Sequence, residues 1–290
     1  MGTFRLLACA AMLAATSNAA IVSFNSVFVN GFPGVFSTGF SSSNTLLSGG
    51  AVDPHYTLIK LPAGCSGVPC AEDGVNPSGP LGLFGPSTYV VLGPNGTYPL
   101  NGVAWVRPND SNSQWIGPRA DQTNPVQGVN HIFSSSTDFY AYRMVFNLTA
   151  MGLVPSTANI QLAWLSDNNT NGSSPLLMSH IRLCAINSAS DPVCPASTMI
   201  TGSGNAGQGS ATLTPVSIVH GVNNAFFSAG LMALDFIVYN ANIPDGQLNP
   251  SGLNVDIISA TAEDIPEPAT VSLISFGLLG LGLAARRRLA

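Results

Sequence analysis

Charge is what this sequence has least of. Only 8% of its 290 residues are Asp, Glu, Lys or Arg, against about 25% in an ordinary soluble domain. Between residues 20 and 264, Lys60, Arg107, Arg119, Arg143 and Arg182 face thirteen acidic residues, a net charge of −8. With no basic cluster in that span, nucleic acid is excluded as a partner. Long helices are scarce for another reason: 30 glycines and 21 prolines interrupt the chain, and both residues disfavour helix interiors. Disorder does not follow, because 46% of the residues are hydrophobic and they recur periodically. Catalytic signatures are missing as well. There is no nucleophile elbow, P-loop, HExxH or dinucleotide fingerprint, so no catalytic residue is assigned and the chain reads as a non-enzyme.

The two ends carry what the middle lacks. The opening "MGTFRLLACAAMLAATSNAA" has one positive charge, Arg5, then an apolar stretch from Leu6 to about Ala15. Ser17 and Ala19 place small residues three and one positions before a cut after Ala19, the layout of a secretory signal peptide. An unbroken apolar run of only three residues, Leu6 to Ala8, precedes Cys9, too short for a lipoprotein signal. Removing Cys9 with the leader leaves Cys65, Cys70, Cys184 and Cys194. An even count in an exported chain favours two disulfides. Short spacings favour Cys65–Cys70 and Cys184–Cys194, although three connectivities are formally open. Zinc fits poorly, since C-x4-C with C-x9-C matches no common finger.

At the other end, residues 270–285 hold no charge, and Arg286, Arg287 and Arg288 follow at once. As a helix the run spans about 24 Å, slightly short of the hydrocarbon core. The arginines hold their side in the cytoplasm and leave everything earlier outside. Just before the run, Pro266, Glu267 and Pro268 keep the chain extended, because prolines block helix continuation.

Pro-Glu-Pro, an apolar run rich in Gly and Leu, and an arginine cluster, in that order, resemble the PEP-CTERM sorting signal of Gram-negative bacteria. The resemblance covers about the last 26 residues. It implies recognition and processing near Pro266, Glu267 and Pro268 by exosortase, a membrane-embedded cysteine peptidase. It also implies delivery by the general secretion machinery and a transient membrane anchor before release to the cell surface. The family's association with exopolysaccharide and biofilm implies a matrix component or binder. The domain division that follows is 1–19 signal peptide, 20–264 exported domain and 265–290 sorting signal.

Within 20–264, period-two alternation recurs. Tyr140, Tyr142, Met144, Phe146 and Leu148 share one face, as do Ile160, Leu162 and Trp164. Leu253, Val255 and Ile257 point inward against Asn254 and Asp256 outward, and "LMALDFIVYN" reads as a central strand. Gly, Pro, Asn and Ser clusters bound these strands, so the expected fold is all-β, a β-sandwich or jelly roll. "TGSGNAGQGSATLTP" (201–215) reads as a flexible hairpin tip or loop. The phrases "AVDPHYTL", "NSQWIGP", "DFYAYRMVFNL", "LAWLSDNN" and "LDFIVYNAN" with "NPSGLNVDI", in this order, resemble the galactose-binding-like jelly roll found ahead of many PEP-CTERM tails. The family's Asn-Gly strand after the Asp-Asn turn is replaced by "SSPLLMSHIRLCAINSAS", a departure that bears on a ligand site rather than on the fold.

Three groups remain as candidate chemistry. Trp115 with Arg107 and Asp110 would make a lectin-like glycan loop if the ring faces solvent; Trp105 and Trp115 as core and sandwich-edge residues are the plainer assignment. Asp53 and His55 are the one carboxylate–imidazole pair close in sequence, and strand geometry separates their side chains. Residues 167–172 mimic the start of a calcium loop, but Met178 stands where the bidentate Glu belongs, and an Asn/Gly turn fits better. No metal or cofactor is assigned, and a structural calcium held by loop carbonyls is left open. A secreted hydrolase would need two carboxylates about 5–9.5 Å apart, a pairing the dispersed Asp residues do not announce.

Overall fold

The computed structural model describes residues 19–61, 87–91, 109–118, 139–166, 178–205, 207, 210–239 and 251–266. They fall into two units: Ile21–Glu263, and the chain's ends, Met1–Ala20 with Asp264–Ala290. Among the described residues there is no α-helix, only 3-10 turns at Pro155–Thr157 and Ala196–Thr198, and no helix long and apolar enough to cross a membrane.

Among the described residues, twelve strands run in chain order: β1 (Ile21–Ser23), β2 (Phe28–Val29), β3 (Phe32–Pro33), β4 (Val52–Lys60), β5 (Ser87–Val90), β6 (Ile116–Gly117), β7 (Tyr140–Phe146), β8 (Asn159–Ser166), β9 (His180–Ile186), β10 (Thr214–Val219), β11 (Leu231–Val238) and β12 (Leu253–Glu263). One antiparallel sheet has the order β10-β8-β12-β6-β5-β4-β7-β11-β9, with β1 also on β12; β2 and β3 form a separate hairpin. That hairpin turns on Asn30 and Gly31, both at positive φ (52° and 82°), the backbone of a two-residue I′ turn.

The sheet curls until its two halves share one core. Trp164 of β8 meets Phe236 of β11 edge-on at 5.7 Å, although five strands lie between them in the sheet. Tyr142 of β7 and Ser251, just before β12, bring their hydroxyls to 3.2 Å. The all-β, sandwich-like architecture expected from the alternation is what the chain adopts. Tyr140, Tyr142, Met144, Phe146 and Leu148 all enter this core, with Ile160, Leu162, Trp164, Leu253, Val255 and Ile257. As expected of a central strand, β11 has β7 on one side and β9 on the other.

Two positions depart from the simple pattern. Asn254 is not outward but fully buried, and its side-chain amide finds no hydrogen-bond partner among the described residues. It shares a face with its register partner Leu165, which packs with Val91 and Trp115 in a second apolar layer. The sheet is thus covered on both faces there, so alternation no longer separates inside from outside. The 201–215 segment is not a free tip either. Ser203 and Asn205 are buried; the Ser203 carbonyl accepts the Trp164 Nε1–H at 3.0 Å, and Asn205 bonds Ser166. Residues from Thr214 onward are β10. The indole needed an acceptor on burial, and this Gly-rich stretch supplies it.

The edge of β12 is completed by side chains. Between its pairings with β6 at Leu253 and with β1 at 261–263, the amides of Val255 and Ile257 donate to the hydroxyls of Thr38 and Ser37, both at 2.9 Å. Gly34 lets this leading segment approach: a Cβ there would lie 1.9 Å from the Phe24 carbonyl oxygen.

Candidate functional site

The outer face of β7-β11-β9 carries polar side chains where alternation puts them, opposite the main core. Arg143 of β7 and Asp235 of β11 are register partners, and both are fully buried. They form a two-pronged ion pair, Nε to Oδ1 at 2.7 Å and Nη2 to Oδ2 at 2.8 Å. The loop after β9 covers it. Arg143 Nη1 donates to the carbonyls of Asp191 (2.9 Å) and Ala189 (3.4 Å), and Nη2 to that of Pro192 (3.2 Å). All five guanidinium N–H groups therefore have acceptors, which a buried arginine requires. The Cys194 amide donates to Asp235 Oδ2 at 3.1 Å. Cys184 and Cys194 are disulfide-bonded, with Cα atoms 5.7 Å apart, so the expected short bridge ties this cover to β9. Cys65 and Cys70 lie outside the described residues.

Beside the ion pair, Arg182 of β9 donates from Nε to His180 Nε2 at 2.9 Å and from Nη1 to the Cys194 carbonyl at 2.9 Å. Its guanidinium stands 5.3 Å from the Phe139 ring centre, and Lys60 Nζ stands 4.0 Å from the same ring. With Nε2 accepting, the His180 proton sits on Nδ1 and goes to the Met178 carbonyl at 2.6 Å. Burial first, and the Arg182 charge in addition, push the His180 pKa down to about 4. Charge-bearing groups are thus concentrated here: Arg143 and Asp235 neutralise each other, and Arg182 is held by hydrogen bonds to His180 and to the cover. That arrangement locks a loop onto a sheet.

The Asp53–His55 pair is likewise taken up by structure. The Asp53 carboxylate accepts the Gly39 amide at 2.7 Å and the His55 amide at 2.8 Å. The His55 ring turns away to stack on Phe36, centroids 3.6 Å apart and 5° from parallel. Burial raises the Asp53 pKa to about 7 against three backbone amides that lower it, and burial lowers that of His55 to about 4. Pro54 between them cannot donate to the ladder, and the β4–β5 register shifts between Asp53 and Thr57. His220 accepts the Phe227 amide at 3.2 Å.

Trp115 is fully buried, packed with Val91 and Leu165, and its amide donates to Asn109 Oδ1 at 2.6 Å. Asp110 Oδ1 accepts the amides of Asn112 (2.8 Å) and Ser113 (3.1 Å), closing the turn. The ring therefore stands in the core and turns no face to solvent. Arg107, Trp105 and the 167–172 segment lie outside the described residues.

Where β12 ends, the chain enters the sorting region. Asp264 Oδ1 accepts the Ala20 amide at 2.5 Å, and the Asp264 amide donates to the Ala20 carbonyl at 2.8 Å. Ile265 and Pro266 follow, both exposed. Glu267, Pro268, Arg286, Arg287 and Arg288 lie outside the described residues. The Ala20–Asp264 contact was invisible to sequence reasoning, since 244 residues separate its partners.

Residues 264–288 match the model of the PEP-CTERM protein-sorting motif. No curated protein and no solved structure matches the chain. The motif implies an exported protein that exosortase sorts, anchored at the membrane before release.

Proposed function

We propose that this chain is a non-enzymatic exported protein whose β-rich domain binds, or forms part of, the extracellular polysaccharide matrix. A leader ending at Ala19 is removed during export, and exosortase then processes the tail near Pro266, Glu267 and Pro268. The observation that carries this reading is the sorting motif at 264–288. The middle of the chain supports it by how it uses its polar groups. Arg143, Asp235, Asp53 and His55 are all buried in structural roles, the usual way to make buried polar groups tolerable. The buried Trp115 ring weighs against a lectin-like site built on it, so the matrix contact is assigned to the sparsely charged surface at large.

Fractionation of the native host tests the assignment. The processed chain is expected to sediment with isolated exopolysaccharide and to be released when that polymer is digested. Recovery in the medium independent of polymer, before and after digestion, would remove the matrix role.

A further inference from the structure

The first described residues and the last ones meet. Ala20 and Asp264 continue the β1–β12 ladder by one step, since Ile21 pairs with Glu263 and Ala20 exchanges two hydrogen bonds with Asp264. Ala20 is the residue that follows the expected leader cut, and Asp264 is the first residue of the sorting motif. One contact therefore joins the products of two separate processing events.

Hydrolysis of the Ala19–Ala20 bond changes its chemistry. Water adds across the amide: Ala19 leaves as a carboxylate, and the Ala20 nitrogen takes the protons to become an ammonium. A neutral amide at 2.5 Å from Asp264 Oδ1 thereby becomes a cation against a carboxylate, which adds a charge–charge attraction to a hydrogen bond whose acceptor is already ionised. We propose that leader removal creates an ion-paired clasp between the Ala20 ammonium and Asp264, which fastens both ends of the exported domain immediately ahead of Pro266. This rests on the reading that the leader is cut after Ala19. Where leader hydrolysis precedes tail processing, the tail is processed on a chain whose last strand is already tied.

Among the described residues, Glu263 is the other acidic group at this end; it is exposed and stands in register with Ile21. Lys60 is the chain's single lysine, which gives a clean assay. The mature protein, purified from its exosortase-bearing host, is treated at pH 7 with a limiting amine-reactive ester. Acylation of the Ala20 amine is followed by peptide mass spectrometry, with Lys60 as internal reference. An ion-paired ammonium holds its proton above the ordinary range of about 7.7–8.0, so Asp264→Asn should speed Ala20 labelling about tenfold. Glu263→Gln should change it by less than about twofold, as for an exposed charge. In the unmutated protein, the pH dependence of labelling should itself place the α-amine above that range, which serves if Asp264→Asn does not fold. Equal labelling in Asp264→Asn and the native chain, an effect of Glu263→Gln as large, or an α-amine at its ordinary value would each overturn the clasp. A first residue other than Ala20 would show instead that the leader reading had failed, and the clasp with it.

Discussion

Burial holds His180 and His55 neutral down to about pH 4, and it lets Asp53 keep its proton up to about pH 7. Each histidine has its pKa lowered to about 4, burial being the largest cause, against about 6.5 in an unfolded chain. Between those values only the unfolded chain takes up the proton. Their contribution is thus full above pH 6.5 and is lost as the pH falls to about 4. Asp53 works in the opposite sense: with its pKa raised to about 7, the folded chain keeps a proton the unfolded chain has released. Its contribution is full below about pH 4 and is lost as the pH rises through 7. Two protons against one leave a net slope of roughly 1.4 kcal/mol per pH unit between about 4.5 and 6.5. The Tm of the exported protein should therefore climb across that interval and flatten or turn down near pH 7. A Tm that is constant or falling from pH 4.5 to 6.5 would contradict these assignments. None of this was readable along the chain, because burial depends on what packs from elsewhere: the Asp53–Pro54–His55 run shows a carboxylate and an imidazole, but not the Gly39 amide or the Phe36 ring.

Strands were legible where one face meets the core and the other does not. The Tyr140 to Leu148 alternation, the Ile160–Leu162–Trp164 face and the largely apolar β11 each fell where the pattern put them. The pattern lost its meaning where both faces are covered, as at Asn254, and where Ser203 and Asn205 were drawn in to satisfy β8. One local signal went unused: Asn30-Gly31 between Phe28-Val29 and Phe32 is a strong short-range hairpin marker, and it makes the β2–β3 turn. The Cys184–Cys194 pairing was foreseeable from spacing, but what the bridge holds down was not, since Arg143 lies 46 to 49 residues from the carbonyls that cap it. Cutting this bridge should loosen the cover. For a loop of this length the chain-entropy estimate is about 3 kcal/mol, and Arg143 and Asp235 would lose part of their hydrogen bonding as well. Cys184→Ser with Cys194→Ser should thus lower the unfolding free energy by about 3 kcal/mol or more in urea titration, and speed amide exchange at 187–194. An unchanged midpoint would mean that the loop stays docked without its tether.

The whole molecule divides into a middle that explains how it folds and two ends that explain where it goes. The matched motif at 264–288 was legible because sorting machinery reads a short linear stretch of chain. A ligand surface on the curled sheet would be assembled from residues far apart in sequence, and no such constellation was announced by spacing. Among the described residues of Ile21–Glu263, the Arg143–Asp235 pair puts two of the few charges inside.

The most direct test is the intact mass of the protein recovered from otherwise identical cells with and without exosortase. With the enzyme, the chain should begin at Ala20 and lack the apolar run and Arg286, Arg287 and Arg288. Without it, the same chain should keep that tail and stay in the membrane fraction. Identical masses in both strains, or a full-length product in the cytosol, would contradict export and sorting together.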